Sequence, residues 1–302
     1  MYVRKNIPLK ILLAFAWKPL LIFTLLATLV VIGFRFFHIQ HFSIPFLPVG
    51  TLGTAVAILL GFRNNSAYDR FWEGRKIWGQ LVNDSRSFTR SILTHLDISD
   101  PEPKKRIIYR HIAYVNALRM HLRRQDIKNA NCWNELRHFL DDEEFIDMHT
   151  APNKPTYLNY CQGKELKLLL DAGALHEYRY KHLNEILDRF YDIQGKCERI
   201  KNTPLPRQYA FFTTLFTRIF VFLLPFGFVE ELDWYTIPLS VLISWIFNTL
   251  EQVGTYTENP FDNGINDIPM TSLSVVIERD LKSLLGERDL PEAKQPVKGI
   301  LM

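Results

Sequence analysis

Apolar residues gather in two blocks, the first sixty residues and residues 208 to 250, with a strongly charged stretch between them. A helix needs roughly 20 mostly apolar residues to cross a hydrocarbon core about 30 Å thick. Four segments approach that length: residues 19–37, 43–62, 208–229 and 234–251. Arg4, Lys5 and Lys10 precede the first run, as in a signal peptide. No small-residue cleavage site follows, so we expect an uncleaved first span.

The connecting segments predict orientation. Cations flank the first span on its N-terminal side and follow the second. The turn between the third and fourth spans, VEELDW, has acids and no Lys or Arg, and the loop after the first span offers only Arg35, able to snorkel from the helix end. The positive-inside rule then puts both termini and residues 63–207 in the cytoplasm, with 252–286 on the same side and a mobile tail at 287–302.

Between the blocks the periodicity is helical. The second span continues without proline to about residue 98, where Pro101 and Pro103 end it. Residues 104–124 carry apolar positions at helical spacing among cations. ELRHFLDDEEF reads as an acidic helical segment, 151–163 as a loop with two prolines, 164–201 as one long helix, and PMTSLSVVIERDLKSLLG as an amphipathic helix with Gly286 just past its end. The fold class expected is all-α.

Composition adds little beyond this: 302 residues, 47% hydrophobic, 23% charged, net charge +4. Cys132, Cys161 and Cys197 form no CxxC pair, and no histidine spacing matches a metal site. There is no P-loop, GxGxxG or GxSxG. No enzyme, metal, cofactor or nucleic-acid partner is expected.

Three features carry candidate chemistry. In the second span Thr54, Ile58 and Phe62 recur every four residues and lie nearly above one another on a helix. The stripe is either a packing or lipid-facing surface or, with several copies around an axis, a set of apolar rings lining a pore. Arg218 falls mid-way along the third span; it serves either an ion pair or carbonyl contact, or ion attraction and gating. Arg63, Arg70, Trp72, Arg75, Lys76 and Trp78 follow the second span and suit interfacial anchoring.

Four motifs then carry a resemblance. AILLGFRNNSAYDRFWEGRKIWGQ resembles the signature of bacterial members of the bestrophin family of ion channels. IIYRHIAYVNALRMHLR, QGKCERIKNTPLP and EQVGTYTENPF resemble further family segments in the same order. The resemblance implies a homopentamer with one axial pore in the bacterial inner membrane, passing monovalent ions, anion or cation, through an apolar neck. Ile58 and Phe62 fall on neck positions, with Thr54 one turn further out. A second, cytoplasmic constriction is implied, with Leu175, Tyr178 and His182 as candidates. Animal members bind calcium just after Asn-Pro-Phe; here that stretch, NPFDNGINDIP, has only Asp262 and Asp267, and no tight calcium control is expected. The alternative weighed is a membrane scaffold acting through its tail.

Overall fold

The computed structural model describes residues 1–3, 9–37, 43–125, 129 and 131–302. Arg4 and Lys5, used above for orientation, lie outside them. Among the described residues the chain is helical, with only isolated bridges joining Tyr2 to Ile300 and Val297 to Ile300. The helices are α1 (Leu9–Phe36), α2 (Phe46–His95), α3 (Glu102–Leu122), α4 (Asp142–Thr150), α5 (Lys154–Asp171), α6 (Glu177–Asn202), α7 (Arg207–Leu232), α8 (Thr236–Thr257) and α9 (Met270–Leu284). A 3-10 turn, Cys132–Phe139, precedes α4, and another, Asp233–Tyr235, joins α7 to α8.

Of the four apolar segments, 208–229 lies wholly within α7, and the other three lie largely within α1, the first part of α2 and α8, overrunning their ends by one to three residues. Among the described residues three continuous stretches are long and apolar enough to cross a membrane: Ala16–Phe36, Phe46–His95 and Arg207–Thr257. The last contains α7, the 3-10 turn and α8.

Two expectations about helix ends need correction. Residues 151–163 are largely not a loop, because α5 begins at Lys154. Its Pro155 sits in the first turn, where a missing N–H is harmless, and Asn153 caps the helix by accepting from the Thr156 N–H at 3.2 Å. Residues 164–201 form two helices rather than one. Gly173 takes a φ of +70°, a left-handed conformation that ends α5, and His176 caps α6.

The chain divides into two compact units. The apolar unit is Arg4–Arg70 with Pro204–Asn259, and the polar unit is Met1–Val3, Phe71–Thr203 and Pro260–Met302. Helix α2 is continuous through the division, which falls inside the basic, aromatic stretch.

The polar unit has a continuous hydrophobic core built around Trp78, Phe88, Tyr114 and Phe190. His111 lies inside it, its Nε2 2.8 Å from the Ser85 hydroxyl and its ring 4.5 Å from that of Phe190. Burial drives its pKa down from 6.5 to about 3. Residues 287–302, expected to be mobile, make specific contacts: Tyr109 donates to Glu287 at 2.8 Å, and the Val3 N–H donates to the Gly299 carbonyl at 2.9 Å.

In the apolar unit α1, α2, α7 and α8 share small apolar clusters rather than one large core. One close approach explains a glycine. A Cβ at Gly53 would come within 2.7 Å of the Phe220 ring, so only glycine lets α7 sit this near to α2.

Candidate functional site

Helix α2 has two unlike faces within the apolar unit. Val49, Gly53, Val56, Leu60 and Arg63 are buried, and recur every three or four residues. On the opposite side Leu47, Thr51, Thr54, Ile58 and Phe62 are exposed. Ile58 keeps 55% and Phe62 61% of its surface open, although both are large and apolar. The face is a shallow groove at its start, about 610 Å³ in volume, lined by Phe46, Leu47, Gly50, Thr51, Thr54, Ala55 and Ile58.

The two threonines are less polar here than their composition implies. Thr51 donates its hydroxyl proton to the Leu47 carbonyl at 2.8 Å, and Thr54 donates to Gly50 at 3.1 Å. Each hydroxyl proton is therefore used by the preceding turn. Thr54, Ile58 and Phe62 thus form a ladder of low hydrogen-bonding demand about two turns long.

Arg63 follows Phe62 directly but points to the buried side, 3% exposed. Its Nη1 is 3.3 Å from Glu251 and 3.2 Å from the Thr214 hydroxyl; its Nη2 is 3.0 Å from the Thr255 hydroxyl and 3.7 Å from Glu258. Thr214 donates in turn to Glu251 at 2.8 Å. One residue on, Asn64 donates to the Leu250 carbonyl at 3.1 Å. Arg70 Nε donates to the Glu258 carbonyl at 3.0 Å. Arg63, expected as an interfacial anchor, is a buried joint between α2, α7 and α8. Glu251 and Glu258 were not singled out from the sequence. Glu251 belongs to EQVGTYTENPF, and a glutamate next to an apolar span was the signal that an internal cation needed it.

The remaining candidates separate. Trp72 and Lys76 are exposed, with the Lys76 ammonium 5.8 Å from the Trp72 ring, an arrangement suited to an interface. Arg75 is half-buried. Trp78 is fully buried in the core of the polar unit, so its ring packs on protein. Of the candidates for a second constriction, Leu175 is buried, Tyr178 is 81% exposed, and His182 lies edge-on to His95 with ring centroids 5.8 Å apart. Asp262 is ion-paired with Lys201, while the buried Asp267 accepts from the Gly264 N–H at 2.9 Å. Burial raises the pKa of Asp267. Among the described residues no group of three or more His, Cys, Asp and Glu could hold a metal ion. Arg218 is exposed on α7.

The sequence model of the Bacterial/Fungal Bestrophin protein family matches residues 8–283. The voltage-dependent anion channel-forming protein YneE of Salmonella typhimurium is 33% identical over 282 residues, covering 93% of this chain and 90% of that protein. The voltage-dependent anion channel-forming protein alr2987 of Nostoc is 32% identical over 232 residues, covering 76% and 74%. A crystal structure of a bacterial bestrophin homologue from Klebsiella pneumoniae superposes with a TM-score of 0.83 at 28% identity, covering 90% of this chain and 98% of that one. With its exposed α2 ladder, its four ordered motifs and a family match over nearly its whole length, the chain belongs to the bestrophin family.

Proposed function

We propose that the protein is a passive ion channel of a bacterial cell membrane, a homopentamer in which α2 of each copy turns its exposed face to a common axis. The observation that carries this reading is the ladder of Thr54, Ile58 and Phe62, in which two large apolar side chains stand open on a helix whose other face is buried. Around an axis these residues form apolar rings, and a narrow apolar ring blocks ions by excluding water until it widens. Helices α1, α7 and α8 complete a four-span protomer with both termini and the polar unit in the cytoplasm. Lys76 and Trp72 anchor at the inner headgroups. The permeant species are monovalent ions, and the relatives' names support anions.

The test is the reversal potential of purified protein in a planar bilayer under a sodium chloride gradient. A value near the chloride equilibrium potential is expected. A value near that of sodium keeps the channel and reverses its sign. Phe62→Ala should raise the open probability or the conductance several-fold. Unaltered currents in that variant would remove Phe62 from the neck. A folded pentamer that never conducts would move the function to a scaffold.

A further inference from the structure

Arg218 stands about 16 Å along α7 from Arg207 and about 18 Å from Glu230, taking 1.5 Å per residue. In the spanning arrangement proposed above it lies near mid-membrane. Either distance is more than an arginine side chain can snorkel to reach a lipid headgroup. No described residue of its own chain accepts a hydrogen bond or ion pair from it, and it is exposed. A guanidinium left in hydrocarbon is strongly unfavourable, so its acceptor must come from elsewhere.

The surface around it differs from one built for lipid. On the middle of α1, between Lys18 and Arg35, the large exposed residues Leu21, Ile22, Leu25 and Leu29 are all aliphatic, with no charge among them. On α7 Phe211, Arg218 and Phe222 share one face at i, i+7 and i+11, and the two phenylalanines are 62% and 53% exposed. A face that combines aromatic bulk with a mid-depth cation suits protein rather than acyl chains.

We propose that this face of α7 is the seam between neighbouring copies of the chain, and that a neutral oxygen of the next copy, a hydroxyl or a main-chain carbonyl, completes the coordination of Arg218. A carboxylate is excluded by depth. The sequence has no acidic residue before Asp69. Glu230 and Glu231 lie at the far end of α7, and Glu251 already accepts from Arg63. A neutral acceptor exists at this depth: Pro225 has no N–H and leaves the Val221 carbonyl of α7 without its helical partner.

The inference rests on the oligomer proposed above, and the test separates the two. A nitroxide at Phe222→Cys, in a Cys161→Ser background, reports collision with oxygen dissolved in the bilayer; the same label at Leu25→Cys on α1 is the lipid-facing control. Position 222 should be at least about fivefold less accessible than position 25. Equal accessibility would show that the face meets lipid and would overturn the seam. In parallel, Arg218→Leu should weaken assembly in detergent at least about tenfold by native mass spectrometry, with Arg218→Lys intermediate. An Arg218→Leu oligomer as tight as the parent would also overturn it. A monomeric parent protein sinks both readings. A pentamer with position 222 shielded but no ion flux sinks only the channel.

Discussion

Each unit encloses one arginine between two glutamates, and the enclosures are built differently. In the polar unit Arg110 holds Glu165 at 2.6 Å and Glu144 at 2.8 Å, and donates to Gln162 at 3.1 Å. Arg106 holds the other side of Glu165, at 3.0 Å. Burial opposes the charge on Arg110, yet its hydrogen bonds and attraction to the two glutamates outweigh burial and raise its pKa. In the apolar unit Arg63 is as deeply buried, but its carboxylates stand at 3.3 and 3.7 Å, two hydroxyls share the work, and Nε has no acceptor. The first is a closed knot tying α3, α4 and α5. The second is a joint with slack, placed one residue from Phe62. The difference separates an ion pair that fixes a core from one that leaves the exposed ladder of α2 room to shift.

The largest effect should come from opening the closed knot. Arg110→Leu leaves Glu144 and part of Glu165 buried without a partner, and should destabilise the protein by about 3–5 kcal/mol. Denaturation in detergent measures it. Adding Glu144→Gln should recover part of the loss, because one stranded charge is then gone. A loss under about 1 kcal/mol would mean that solvent reaches the network and the contrast with Arg63 is false.

Arg63→Gln should be milder, about 1–3 kcal/mol, since the slot already tolerates an unfilled donor and its threonines can partner the amide. Its distinguishing readout is kinetic. If the joint sets the position of Phe62, open probability changes while reversal potential does not. A loss as large as that of Arg110→Leu, with gating unaltered, would make the two enclosures equivalent.

Much of this architecture was legible from periodicity, because the apolar stretches are long and each repeats a helical pattern. The missed points have local or long-range causes. The break between α5 and α6 depends on one left-handed glycine, Gly173, which helical periodicity on either side conceals. Pro155 signalled a loop, although proline equally starts a helix. The ladder on α2 was readable because i, i+4, i+8 spacing is local. The role of Arg63 was not, since Glu251 and Thr214 stand 188 and 151 residues away in sequence. Trp78 was assigned by the company it keeps with Lys76 and Arg75. The buried series Trp78, Leu81, Ser85, Phe88 and Ile92, at three- and four-residue spacing, would have identified it as core.

A smaller effect sharpens the contrast from the acid side. His111 titrates near 6.5 when unfolded and near 3 when folded, so below about pH 6.5 the unfolded chain binds a proton that the folded one refuses. Stability from this group is complete above pH 6.5 and is lost as pH falls towards 3. Between pH 7.5 and 5.5 the loss is about 1.4 kcal/mol. The difference in pH slope between the parent and His111→Phe, measured by chemical denaturation, isolates it. Identical slopes would mean that the imidazole is solvated in the folded protein.

The smallest effect is expected at Thr54, and it bears on the open face of α2. Its hydroxyl proton is committed to the Gly50 carbonyl, so Thr54→Val removes an internal bond and adds a methyl of similar size in an exposed position. Stability should change by less than about 0.5 kcal/mol. If Thr54 already acts as an apolar rung above Ile58 and Phe62, single-channel conductance should fall by less than about twofold. A drop of tenfold or more would show that water and ions use the remaining lone pairs of that hydroxyl. The dry section would then begin at Ile58, one helical turn closer to Arg63 and its slack joint.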